Sequence, residues 1–157
     1  VGENENFGTL HSRLAEMGAK LLLKTISLSL TGNLHPQRQD HSLATFAPPL
    51  DRQTGMINWE DDCGKITRLI RGLSPVPCAY TFLHQKKLKV FFAEAKTIPT
   101  SEAPGVIIGK RNDTLCIACG NGCVYLGDVQ LEGKKRMNIG DFLRGTPVAE
   151  GEKIGRI

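Results

Sequence analysis

Three cysteines, Cys116-x-x-Cys119-x-x-x-Cys123, form the spacing in this chain most suggestive of metal or redox chemistry. A structural zinc site takes about four ligands, commonly from two such knuckles. A second knuckle is missing, and the four histidines (11, 35, 41 and 84) lie upstream and apart. On a straight strand, residues three apart point to opposite faces. The expectation is therefore buried reduced thiols and no metal. No thioredoxin-like βαβ pattern surrounds the pair to make it a redox couple. His11-Ser12 and Asp40-His41-Ser42 supply the residue types of a catalytic triad, but they fall on a helix face and in an extended stretch. No nucleophile elbow, phosphate loop or dinucleotide fingerprint accompanies them. No catalytic residue is assigned. Cations give the other chemical signal. Lys86, Lys87 and Lys89 form one cluster, and Gly133-Lys134-Lys135-Arg136-Met137 a second. Clustered cations on turns and hairpins can hold phosphates.

The charge distribution supports the second kind of chemistry. Residues 1–62 contain five Lys/Arg and eight Asp/Glu, whereas residues 63–157 contain fifteen and eight. The positive charge thus belongs to the second part, which suggests a polyanionic partner. A basic module that binds protein and no nucleic acid is the alternative. No apolar run approaches the roughly 18 residues that span a bilayer, and no basic-then-apolar leader opens the chain. The expectation is a soluble cytoplasmic protein with reduced thiols. Val1 stands first and residues 1–6 read as loop interior, so a fragment of a longer protein is expected.

The elements that must position these groups follow from periodicity. Leu10, Leu14, Met17 and Leu21 mark one face of a helix over residues 8–30, with Thr9 as N-cap and Gly32 as stop. Leu22, Leu23, Ile26, Leu28 and Leu30 add apolar surface that wants cover. Arg13, Glu16, Lys20 and Lys24 leave a polar face that argues against membrane association. Residues 31–58 have no helical period and read as an extended linker, pinned by Leu43, Phe46, Leu50, Met56 and Ile57. Asp61 and Asp62 sit where they would meet a helix dipole. Cys63, Ile66, Ile70 and Leu73 then give a helix over 61–73. Pro75 and Pro77 end it, since neither fits a helix interior.

Strands follow at 79–83 and 88–93 around a His84–Lys87 turn, then at 105–108, 115–119 and 124–131. Asn112-Asp113 and Gly120-Asn121-Gly122 are the turns between them. Asn138 caps a short helix, 139–144, with Gly145 beyond it, and the last twelve residues read as a tail. Short strands at this spacing predict a small barrel or sandwich.

Several segments, in order, resemble the methionyl-tRNA formyltransferase family. They are Phe7-Gly8-Thr9-Leu10-His11, Gly55-Met56-Ile57-Asn58-Trp59 and Arg68-Leu69-Ile70-Arg71-Gly72-Leu73-Ser74-Pro75-x-Pro77-x-Ala79-Tyr80. Cys119-Gly120-x-Gly122, Gln130 to Met137, and Asp141-Phe142-Leu143-Arg144-Gly145 complete the set. The resemblance implies a mainly β fold with α: a small antiparallel OB-like β-barrel preceded by a helix and an extended linker, with a short C-terminal helix. Residues 1–30 would be the terminal helix of a catalytic domain lying upstream, 31–58 the linker, and 59–157 the barrel domain with its leading helix at 61–73. It further implies transfer of a formyl group from 10-formyltetrahydrofolate to methionyl initiator tRNA. No cofactor or catalytic residue is expected within these residues. The partner would be initiator methionyl-tRNA, held by Arg52, Lys86, Lys87, Lys89, Lys134, Lys135 and Arg136. Two positions depart from the family pattern. Pro49 stands where relatives often carry a basic linker residue, and Val76 where they often carry Trp. Sugar-nucleotide formyltransferases share the architecture, but the Gly-Lys-Lys-Arg-Met turn favours the tRNA enzymes.

Overall fold

The computed structural model describes residues 1–51, 53–111 and 114–155. Helix α1 spans Phe7–Leu30. Its N-cap is Asn6, one turn before the Thr9 expected from sequence. Asn6 Oδ1 accepts from the Thr9 N–H at 2.9 Å, and Thr9 Oγ1 accepts from the Asn6 N–H at 3.1 Å. Thr9 is thus the reciprocal partner in a capping box. Gly32 ends the helix in the left-handed region, with φ of 70°, as expected. No residue of α1 is buried. The helix meets the rest of the chain at its first turn, where the Gly8 N–H donates to the Ser74 carbonyl at 2.9 Å. A Cβ on Gly8 would come within 2.6 Å of Pro75 Cδ.

Residues 33–51, 53 and 54 are exposed, with a short 3-10 turn at His41–Leu43 capped by Asp40. Leu43, Phe46 and Leu50, expected to pin it, are exposed; Ile57 is buried and Met56 half-buried. Attachment comes from backbone instead. The Tyr80 N–H donates to Gly55 O at 2.7 Å and the Ile57 N–H to Tyr80 O at 2.8 Å, a parallel bridge that lays residues 55–57 along the first strand.

Helix α2, Cys63–Leu73, starts after its cap Asp62, whose carboxylate accepts from the Lys65 N–H at 2.7 Å. Its buried residues are Cys63, Ile66, Ile70 and Leu73, the stripe read from sequence. Both the Ser74–Pro75 and Val76–Pro77 peptides are cis. They lead directly into the sheet.

The strands are β1 (Ala79–Leu83), β2 (Lys86–Lys96), β3 (Ile107–Arg111), β4 (Thr114–Cys119), β5 (Gly122–Leu131) and β6 (Met137–Asn138). They form one antiparallel sheet in the order β1-β2-β5-β4-β3, with β6 also on β5. Helix α3, Ile139–Gly145, follows from the Asn138 cap, with Gly145 as its last residue. The first hairpin is tighter than expected. His84 and Gln85 both take positive φ, 49° and 63°, giving a two-residue turn whose twist suits a hairpin. Lys86 and Lys87 therefore belong to β2. The second hairpin turns through Gly120-Asn121, with Cys119 opposite Gly122. The expected Asn112-Asp113 turn lies outside the described residues.

Among the described residues the sheet does not close by strand pairing; β1 and β3 end the strand order. Residues 151–155, read from sequence as a tail, bridge that gap. Ile107 N–H donates to Glu152 O at 2.8 Å and Ile154 N–H to Gly105 O at 2.8 Å, while Gly155 N–H donates to Phe82 O at 3.0 Å. The His84 ring nitrogen lies 2.5 Å from the Glu152 carboxylate on the same seam. Inside this wall sits one core. Ile57, Trp59, Ile66, Ile70, Leu88, Ile117, Leu126 and Ile154 are among its members. The architecture is mainly β with α and consistent with a small OB-like fold.

Candidate nucleic-acid interface

Alternation decides which lysines share a face. On β2, Leu88 and Val90 point into the core and are fully buried, so Lys87 and Lys89 point outward. Lys86 has the parity of Leu88 and sits at the hairpin end, off the face of the other two. Strand pairing sets Lys89 against Gln130 of β5, beside the second cationic cluster. The link is reciprocal: the Glu132 N–H donates to Lys87 O at 2.8 Å, and the Lys87 N–H donates to the Glu132 carboxylate at 3.2 Å. The turn that follows is held by the Lys134 N–H donating to Leu131 O at 2.9 Å. Gly133, with φ of 77°, supplies the left-handed residue it needs. Gln130 Nε2 donates to Lys134 O at 2.9 Å. A groove of about 290 Å³ runs between Lys87, Lys89 and the 130–133 segment.

Lys134 and Lys135 are exposed. Arg136 is held in place: its guanidinium lies 2.6 Å from the Asp128 carboxylate and 4.4 Å above the Phe91 ring. Lys87 Nζ lies 4.2 Å above the Tyr80 ring. Lys87 and Lys89 thus share the outer face of β2, Arg136 lies beside Asp128 and Phe91, and Lys134 and Lys135 are exposed on the turn that follows Gln130. Arg52 lies outside the described residues. The cations of α2 already have partners. Lys65 pairs with Asp61 at 2.8 Å, Arg68 approaches Asp62 at 3.9 Å, and Arg71 donates to the Glu3 carbonyl. Sequence reasoning passed over Tyr80 and Gln130, which lie among these lysines through pairing and ring contacts.

The cysteines take the other role anticipated for them. All five are free and buried. Cys116 and Cys119 face opposite sides of β4. Cys119 is in the core, while Cys116 groups with Cys123 and Tyr125 on the outer side. Burial, then a hydrogen bond with Cys123, pushes the Cys116 thiol up to about 11. The hydrogen bond with Cys116, then burial, pushes the Tyr125 phenol up to about 12. Protonated thiols of this kind are poor nucleophiles and poor metal ligands. Among the described residues, no group of three His, Cys, Asp or Glu is placed to hold a metal. The Asp40 carboxylate is occupied as a cap, accepting from the Ser42 N–H and hydroxyl. His11 lies against Phe7 on exposed helix. No helix among the described residues is long and apolar enough to cross a membrane.

Comparison with known proteins agrees with this architecture. Residues 49–147 match the family model described as formyl transferase, C-terminal domain. The methionyl-tRNA formyltransferase of Syntrophus aciditrophicus is 44% identical over 156 residues, covering 99% of this chain and 50% of that protein. That of Citrifermentans bemidjiense is 39% identical over 156 residues, covering 99% of this chain and 48% of that one. The chain thus spans about half the length of the curated relatives it matches. Among solved structures, a variant of HypX from Aquifex aeolicus superposes with a TM-score of 0.69 at 16% identity, over 90% of this chain and 26% of HypX. Its complex with tetrahydrofolic acid gives 0.62 at 18% identity, over 79% of this chain and 22% of HypX. At that identity the likeness speaks for the fold alone. The chain belongs to the formyl transferase C-terminal domain family and corresponds to the C-terminal part of enzymes such as the methionyl-tRNA formyltransferases.

Proposed function

We propose that this chain is the tRNA-holding part of a cytoplasmic methionyl-tRNA formyltransferase. That enzyme moves a formyl group from 10-formyltetrahydrofolate to the amino group of methionyl initiator tRNA. The formyl transfer belongs to residues upstream, with α1 as the last helix of that catalytic part, 31–58 as linker and 59–157 as the barrel domain. The exposure of Leu14, Met17, Leu21, Leu22 and Leu23 along α1 supports a neighbour over that helix. The observation that carries the reading is the basic face, where Lys89 of β2 stands across from Gln130, Lys87 beside Glu132, and the Lys134–Arg136 turn follows. Cations from two turns far apart in sequence, on β2 and after β5, support that reading. Contacts of this sort neutralise phosphates and orient the RNA while reading little of its base sequence. The barrel's role is thus positioning, and selection among tRNAs falls mainly to the upstream part.

The test is binding of this chain to initiator tRNA across a salt series. Micromolar binding that weakens steeply with salt is expected. Binding absent even at low salt would place the affinity elsewhere in the enzyme and leave a protein-binding role for the basic face.

A further inference from the structure

Tyr80 belongs to two surfaces. Its ring carries the Lys87 ammonium at 4.2 Å, and it also lines a cleft of about 450 Å³ on the barrel seam. That volume falls within the roughly 300–1,000 Å³ typical of small-ligand sites. Four segments distant in sequence build it: residues 53–60 at the linker end, Tyr80 of β1, Pro104, and residues 153–155 of the bridging segment. Met56, Tyr80 and Pro104 give it an apolar, partly aromatic wall; Trp59 is at its base, buried, with its indole N–H donated to the Thr81 hydroxyl at 3.1 Å. Lys153 and Glu60 are exposed on its rim.

We propose that this cleft receives one unpaired nucleotide of the bound tRNA. The inference rests on the tRNA-holding reading above and adds a second kind of contact to it. A bare anion suits the site poorly, because Glu60 would repel it as Lys153 attracts it. A nucleotide uses both. Lys153 meets its phosphate, Tyr80 and Met56 take the flat face of the base, and the Glu60 carboxylate accepts from base N–H groups, as carboxylates do. Tyr80 sets the cleft next to Lys87, whose ammonium lies over its ring. A strand leaving Lys87 and Lys89 can therefore place its next splayed base there.

Trp59 is the single tryptophan of the chain, so its emission reports on the cleft. The experiment titrates the 157-residue chain with initiator tRNA and with a short single-stranded RNA. Affinity is followed by anisotropy of labelled RNA and cleft occupancy by Trp59 emission. Both RNAs are expected to change the emission. Lys153→Glu should abolish that change and weaken binding about tenfold, in line with loss of one stacked, charge-paired nucleotide. Lys134→Glu combined with Lys135→Glu should weaken binding while leaving the emission change intact at saturating RNA. If tRNA binds but Trp59 emission is unmoved and Lys153→Glu binds like the parent, the cleft takes no nucleotide and the tRNA-holding reading survives. If neither RNA binds at low salt, both fall together.

Discussion

The Trp59 indole donates to the Thr81 hydroxyl at 3.1 Å between two groups that are almost wholly buried. It ties the end of the linker to the centre of β1. Thr81→Val keeps the shape of the side chain but leaves the indole N–H without its acceptor. A loss of about 1–3 kcal/mol is expected, measured as a shift of the urea midpoint without change of slope. An unchanged midpoint would show that the indole finds another acceptor.

Gly120 turns β4 into β5 directly under the start of α2, and its N–H donates to Asp61 O at 3.0 Å. A Cβ there would stand 2.2 Å from the Glu60 carbonyl oxygen. Because the obstacle is backbone, Gly120→Ala should cost about 3 kcal/mol or more. Gly145→Ala meets nothing within 4 Å and lies in a helix, so it should be neutral or slightly stabilising. Thermal melts of the two variants side by side provide the comparison.

Charge reversal separates the lysines. Lys134→Glu and Lys135→Glu should weaken tRNA binding and flatten its salt dependence, by about one unit of slope for each phosphate no longer neutralised. Lys86→Glu, off the shared face, should do markedly less. Equal effects from all three would mean that general charge, and not this face, holds the RNA.

Stability should decline in alkali. Cys116 rises from an ordinary 9.0 to about 11 and Tyr125 from 10.0 to about 12. Both groups hold their protons more tightly in the folded chain. Their contribution is fully present below pH 9 and is lost as pH rises through 11 to 12. Unfolding free energy should fall across that window, and Cys116→Ala should flatten the fall. For the same reason, alkylation of the native thiols at pH 8 should be slow and should accelerate on addition of urea.

Helix α1 has no buried residue. Removing residues 1–32 should therefore lower the stability of the barrel by less than about 1 kcal/mol, since little apolar surface leaves the core. A larger loss would mean that the packing of Gly8 on Ser74 and Pro75 supports the end of α2.

Local chemistry made much of this legible before the structure. The stripe Cys63, Ile66, Ile70 and Leu73 needs one helix and one core, and both are there. The Gly120-Asn121-Gly122 and Asn138 signals also lie where the chain turns and where α3 begins. The misreadings concern backbone conformations that no residue type announces and partners far away in sequence. His84 and Gln85 take left-handed conformations without a glycine to announce them, which moves Lys86 into β2 and off the basic face. Residues 151–155 contain one core side chain, Ile154, and their placement comes from backbone hydrogen bonds to Gly105, Ile107 and Phe82. No side-chain periodicity encodes such bonds. The cationic clusters were visible as clusters. Their shared face depends on the register of β2 with β5, and the cleft at Tyr80 on four segments meeting.

The bridging segment also imposes an order on biosynthesis. Residues 151–155 are made after all six strands and α3. Until they emerge, the nascent domain displays the edge of β3 and the end of β1 at Phe82 with unsatisfied backbone groups, the arrangement most prone to pairing with another chain. Protection from such association is thus delegated to a few residues translated late. A released chain cut just short of Gly151 would carry all six strands and α3 with its seam unsealed and Ile154 missing from the core.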